Sequence, residues 1–201
     1  MKVFGVTGLA GSGKSRVLRL LEARGLPVLD TDQVSRWVVD PARPEGQRGL
    51  WDLVSAFGQD ILTPAGQLDR AKLRHLMVAN PEVRAKLESL LHPRILEAVA
   101  RVAEGWARDG AKAGFVEGTR LVESGFAAHL DGLLLVTAPD EVRRERLMAR
   151  DKLGAEEATA LLSIQDEGAM RRFATATLEN DGDETALGVK VGAWLRREEL
   201  A

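Results

Sequence analysis

The apolar positions of the first 30 residues run continuously, then recur at helical spacing, then run continuously again. Residues 3–7 form a short, β-branched apolar stretch, followed by a glycine-rich turn and a helical pattern carried by Val17, Leu18, Leu20 and Leu21 that stops at Gly25. Residues 27–30 (Pro27, Val28, Leu29, Asp30) predict a second strand, and the helix between makes a right-handed βαβ crossover, so the two strands are expected as parallel neighbours. From 45 to 109 the pattern is helical, in segments at 50–57, 69–78, 81–91 and 95–108, and no convincing strand interrupts it. Asn80 before Pro81 predicts a helix start, a capping side chain followed by proline at the first position. Strands return at 114–117 and at 132–137, the second apolar throughout as a strand buried on both faces should be, and therefore expected at the centre of the sheet. After Pro139 come a helix rich in arginine (Arg143, Arg144, Arg146, Arg150), a second helix through Gln165, a short strand at 175–179 and a terminal helix to about Arg197.

This alternation predicts an α/β fold: a parallel sheet flanked by helices, with a helical insertion at about 45–109 that often holds the second substrate in such proteins. The 201 residues, 45% hydrophobic and 29% charged, suit one globular domain. A formal net charge of −2 argues against bulk affinity for nucleic acid, so a small-molecule partner is expected. No apolar run reaches the roughly 18 residues of a membrane span, and residues 1–7 lead into a glycine loop, not a signal-peptide cleavage site. The absence of cysteine removes disulfides, thiolate metal sites and thiol nucleophiles and points to the cytoplasm by default.

The loop carries the chemistry. Gly8-Leu9-Ala10-Gly11-Ser12-Gly13-Lys14-Ser15 fits the phosphate-loop pattern and sits between a strand and a helix, as that pattern requires. Its glycines let backbone N–H groups turn toward an anion, and the following helix adds the positive end of its dipole. Lys14 supplies a point charge for the β and γ phosphates and Ser15 a hydroxyl for Mg²⁺, with ATP the expected co-substrate. An ordinary glycine-rich strand-to-helix turn is the alternative. The dinucleotide fingerprint fails, because starting at Gly11 it needs glycine where Arg16 stands.

Asp30 and Asp32 lie two apart beyond the second strand, on one face if the chain stays extended, at the sheet edge where ligands of open α/β sheets bind. One could accept the proton of an attacking hydroxyl and the other hold water on the magnesium. Alternatively, Asp32 merely caps a helix beginning near Gln33.

At these residues the chain resembles the dephospho-coenzyme A kinase family: the Thr7-to-Ser15 loop, then Asp30-Thr31-Asp32 after the second strand. The series continues through Gly66-Gln67-Leu68-Asp69-Arg70, Asn80-Pro81, Leu90-Leu91-His92-Pro93, Glu123-Ser124-Gly125, Arg146, Arg150-Asp151, Gln165 and Asn180-Asp181-Gly182. The resemblance implies a nucleotide-kinase-like core (1–44, 110–138 and 174–201), a helical coenzyme A region (about 45–109) and a lid (about 139–173). It implies transfer of the ATP γ-phosphate to the ribose 3′-hydroxyl of dephospho-coenzyme A. Asp32 would be the base, and Lys14 and Ser15 the triphosphate and magnesium residues; Asp30, from its position at the strand end, is expected nearer the metal. Gly8, Ala10, Gly11, Ser12, Gly13 and Arg16 would complete the ATP loop. Arg146 and Arg150 would be lid charges, Asn180 and Gly182 would lie near adenine, and Leu68, Arg70, His92 and Glu117 would contact the acceptor. Arginines suit that task because charge on the transferring phosphoryl group is spread over its oxygens; a solvated basic helix face is the alternative. The chain departs from the family at Glu117, where Asp is usual, at Thr119-Arg120-Leu121, where Pro-Leu-Leu is usual, and at Thr175, where Ala-Asp is common.

Two other functions fit the same core: a kinase of a nucleoside, nucleotide or sugar acid, or a non-catalytic nucleotide-binding regulator. The long insertion argues for a larger acceptor, and no Asn-Lys-x-Asp guanine motif is present for a GTPase. His92 before Pro93 reads equally as a substrate contact or a turn residue, His75 and His129 take no role, and the four tryptophans read as core or helix-face residues.

Overall fold

The computed structural model describes residues 1–162 and 167–200; Gln165 lies outside the described residues. The chain forms two compact units, one of residues 1–29 with 105–201 and one of residues 30–104.

The first unit is built on a five-stranded sheet of strands β1 (Lys2–Thr7), β2 (Val28–Asp30, whose last residue opens the second unit), β3 (Ala113–Glu117), β4 (Gly132–Thr137) and β5 (Ala176–Glu179), in the order β2-β3-β1-β4-β5. β1 pairs in parallel with β3 (Val6 opposite Glu117) and with β4 (Thr7 opposite Leu135), and β4 in parallel with β5. Two expectations are thereby corrected. β1 and β2 are not neighbours, because β3 lies between them, and the centre of the sheet is β1, with β4 one strand off centre. Burial explains the order. β3 is buried from Ala113 to Val116 and β4 along its whole length, so both belong inside, whereas β2 has three residues and β5 is largely exposed, as tolerable edges are.

Helices α1 (Lys14–Glu22) and α9 (Glu184–Arg197) cover one face of the sheet through Val17, Leu21, Leu187, Val191 and Leu195. Phe4, Phe115 and Trp194 form its aromatic centre, with ring centroids 5.5 to 5.9 Å apart. On the other face, Met170 of α8 (Glu167–Phe173) packs with Leu9 and Leu135. Helices α6 (Asp140–Asp151) and α7 (Ala155–Leu162) and a 3₁₀ turn at Phe126–His129 also belong to this unit.

The second unit holds α2 (Thr31–Trp37), α3 (Pro44–Phe57), α4 (Arg70–Ala79) and most of α5 (Pro81–Arg108). The starts of α4 and α5 carry side-chain caps: Asp69 accepts from Lys72 N–H at 2.9 Å, and Asn80, as expected, accepts from Glu82 N–H at 2.8 Å; α3 opens on Pro44 with no side-chain cap. The expected break between 91 and 95 is absent, since α5 runs straight through Pro93. A proline N–H is missing there, but Ser89 and Pro93 are exposed, so water can serve the carbonyl left over. Buried Leu87 before the proline, with Ala98 and Val99 after it, holds both halves to the core, and Arg94 pairs with Asp52 of α3. Trp51, 70% exposed, stands on the open side of α3.

No helix among the described residues is long and apolar enough to cross a membrane, and no group of three or more His, Asp or Glu among them could hold a metal ion.

Candidate phosphate-binding site

The phosphate loop leaves the carboxyl end of the central strand and runs from Gly8 to Gly13 into α1. Two of its glycines are required where they stand. Gly11 (φ +77°) lies against the backbone of Arg143, so a Cβ there would sit 2.6 Å from that carbonyl oxygen; Gly13 (φ +93°), the residue before α1, would drive a Cβ into the Asn180 amide. With its first turn free of acidic residues, the α1 N-terminus turns its unpaired N–H groups and dipole toward an anion.

Lys14 folds back so that its ammonium donates to the Gly8 carbonyl at 2.8 Å. Burial lowers its pKa, Glu117 opposes that, and Arg150 and Arg143 add to it. Glu117 ends β3, beside β1, and its charge is thus felt at Lys14. A cleft of about 570 Å³ opens here, lined by Ala10, Gly11, Gly13, Lys14, Ser15 and Arg16, and by Thr119, Arg146 and Arg150. Gly8 and Ser12 are buried behind it, and the Ser12 hydroxyl has no partner.

Helix α6 presses onto the loop. Arg146 donates through Nη1 to the Gly11 and Ser12 carbonyls, both at 3.3 Å, and through Nη2 to the Asn180 carbonyl at 3.2 Å. Burial and the nearby Arg16 lower its pKa. Asn180, 1% exposed, donates its side-chain amide to the Ser12 carbonyl at 2.8 Å, and its backbone N–H to Thr137 at 2.7 Å. Arg150 makes a two-pronged pair with Asp151, both bonds 2.7 Å, which raises its own pKa. Arg143, absent from the expected site, donates through Nε to the Ala10 carbonyl at 3.0 Å. Its signal was the spacing 143, 146, 150, which puts three arginines on one helix face.

Gly182 is exposed between β5 and α9, where Asp181 pairs with Lys190 at 2.6 Å, and neither lines the cleft. Thr119, one of the departures, lines the cleft, whereas Thr175 is structural: its hydroxyl accepts from Leu133 N–H at 3.0 Å.

The two aspartates are not equivalent and do not share a strand face, because α2 begins at Thr31. Asp30 is the cap, accepting from Asp32 N–H at 2.7 Å, and Asp32 is exposed in the first turn. The alternative in which Asp32 caps the helix is therefore overturned. Asp32, Leu68, Arg70 and His92 belong to the unit of residues 30–104, where Leu68 bridges to Leu62, Arg70 opens α4 and His92 sits half-buried within α5, not in a turn.

A phosphate loop between a central parallel strand and a helix, with arginines donated by a later helix, defines a P-loop phosphotransferase of nucleotide-kinase-like fold. The dephospho-CoA kinase family model matches residues 2–185, and the chain belongs to that family. It is 40% identical over 193 residues to the dephospho-CoA kinase of Anaeromyxobacter dehalogenans, covering 94% of this chain and 89% of that one. Among solved structures, a Thermus thermophilus protein is similar with a TM-score of 0.76 and 33% identity over 100% of this chain and 98% of its own. The dephospho-CoA kinase of Campylobacter jejuni is similar with a TM-score of 0.69 and 25% identity, over 98% of this chain and 96% of that one.

Proposed function

We propose a division of labour among these residues for the reaction that family membership brings, the ATP-dependent phosphorylation of dephospho-coenzyme A to coenzyme A. The observation that carries it is the phosphate loop, its lysine facing a cleft whose other wall is the arginine face of α6. The Gly11 and Gly13 backbone and the α1 N-terminus hold the ATP phosphates, with Gly8 and Ser12 shaping the loop from behind. Lys14 neutralises charge on the transferring group, and Arg146, Arg150 and Arg16 add positive charge along the cleft. Helices α6 to α8 form the lid. The unit of residues 30–104 binds dephospho-coenzyme A through Leu68, Arg70 and His92, and Asp32, whose carboxylate is not used as a cap, accepts the proton of the ribose 3′-hydroxyl.

Magnesium suits the donor set. Ser15 offers an exposed hydroxyl beside Lys14, and the absence of an acidic cage among the described residues fits an ion that keeps its waters and leans on substrate phosphates. Ser15 would hold it, with Asp30 as a carboxylate for its waters, and Glu117 at the end of β3 stays on the acceptor side; when bound, the ion neutralises charge on the triphosphate. The cytoplasm is the compartment this function fits. Other acceptors and a regulatory role are not favoured by the relatives.

The test is turnover of an acceptor panel by purified protein with ATP and Mg²⁺. Dephospho-coenzyme A should have the highest kcat/KM, because its long arm supplies binding energy that orients the hydroxyl. A higher value for adenosine, AMP or gluconate would refute the acceptor.

A further inference from the structure

Three successive carbonyls of the phosphate loop are each held by a side chain from outside it. Arg143 holds Ala10, Arg146 holds Gly11 and Ser12, and Asn180 holds Ser12. In a planar trans peptide the carbonyl and the next N–H point in opposite directions. Holding the Ala10 carbonyl against α6 therefore turns the Gly11 N–H away from that helix, and holding the Ser12 carbonyl does the same for the Gly13 N–H. The Ser12 N–H between them returns to the Leu9 carbonyl at 3.2 Å. Gly11 and Gly13 line the cleft, with Ala10 beside them, and Ser12 between the two glycines is buried.

Arg143 is placed unlike its neighbours on the helix. It is 3% exposed; Nη1 pairs with Asp140 at 2.8 Å and Nη2 is buried without a partner. A buried guanidinium with an unsatisfied nitrogen is unfavourable by itself. What it secures is the bond from Nε to Ala10, at the point where its own backbone lies against Gly11 and leaves no room for a Cβ on that residue.

We propose that Arg143 is a positioning residue for nucleotide binding: through the Ala10 carbonyl it aims the Gly11 N–H at the phosphates of ATP. The inference rests on ATP lying in the phosphate loop as described above.

The test compares Arg143→Met, which keeps the apolar stem and removes the donors, with Arg143→Lys, which restores one donor. ATP affinity is measured calorimetrically on the full chain, beside the KM for dephospho-coenzyme A. For Arg143→Met the Kd for ATP should rise roughly tenfold, the loss of one aimed hydrogen bond to an anion. The acceptor KM should stay within about twofold, and Arg143→Lys should regain most of the affinity. A purely structural role would lower thermal stability and leave the ATP affinity of the folded variant unchanged. A folded Arg143→Met that binds ATP within about twofold of the parent overturns the inference. If that variant does not fold, Asp140→Ala carries the test, because Asp140 is 80% exposed at the first turn of α6 and braces the guanidinium from outside the loop; ATP affinity should weaken about two- to threefold, and no change overturns the inference. Failure of the parent protein to bind ATP would overturn the phosphate-loop reading and this inference with it, whereas normal parent binding with an unaffected variant overturns this inference alone.

Discussion

Replacing Asn180 by alanine distinguishes two roles, steadying the phosphate loop and reading adenine. As a reader of adenine it would face the base; in the structure its amide lies behind the loop and donates to the Ser12 carbonyl at 2.8 Å. Asn180→Ala deletes that bond, worth about 1 kcal/mol net, and the longer contact from Arg146 Nη2 to its side-chain oxygen at 3.4 Å. The Ser12 carbonyl is not orphaned, because Arg146 Nη1 still reaches it at 3.3 Å, and the backbone bonds of residue 180 to Thr137 and Arg146 survive. Adding about 1 kcal/mol for the small void left at a fully buried site gives a loss of about 2 kcal/mol. For a chain of this size that is a fall of about 4–8 °C in melting temperature. The loop it steadies meets phosphates and not bases, so the affinities for ATP, GTP and inorganic tripolyphosphate should fall by one common factor. Calorimetric melting and competition binding of the three ligands measure both effects. An unchanged melting temperature together with a loss confined to ATP would refute the loop role and return Asn180 to the adenine.

Asp32→Asn keeps the shape and loses the basicity, so kcat should drop by roughly 10²-fold or more with direct ATP binding unchanged; near-normal kcat in steady-state assays removes Asp32 from the chemistry. Asp30→Ala should cost about 1 kcal/mol by uncapping α2, whereas Asp30→Asn should keep the cap and raise the magnesium requirement; thermal melts and a magnesium titration of both variants tell the two functions apart. Lys14 has a folded pKa below the lysine value of 10.5, so its ammonium, and with it kcat/KM for ATP, should be lost on the alkaline side before an ordinary lysine titrates. Glu117 holds that pKa up, hence Glu117→Gln should move the alkaline limb to still lower pH; a limb that stays put in a pH–rate profile disproves the coupling.

The strand, loop and first helix were legible because glycines at 8, 11 and 13 and a lysine at 14 admit few other arrangements. Strand order was not, since the crossover rule says which hand β1-α1-β2 takes and not whether a third strand will enter between them. The break expected at Pro93 failed for a related reason: a proline signals a missing bond, but only burial on both sides of it decides whether the helix ends. Asp30 and Asp32 exchanged capping roles because the helix begins one residue after the strand, a boundary no periodicity resolves. Arg143 was hidden in a row of arginines that look alike in sequence; its burial comes from the contact of α6 with Gly11, which is tertiary.

The strand order also governs how the chain can fold as it is made. β1 emerges first, yet both of its partners, β3 and β4, are encoded more than a hundred residues later, as the pairing of Lys2 with Ala113 shows. Until then its two edges are open to the wrong neighbours, and loop closure over that span must be met before any sheet bond forms. The helices of residues 30–104 rely on nearby contacts and can collapse in the meantime. Synthesis would thus leave the nucleotide-binding half to complete late, with β1 as the segment most in need of protection during translation.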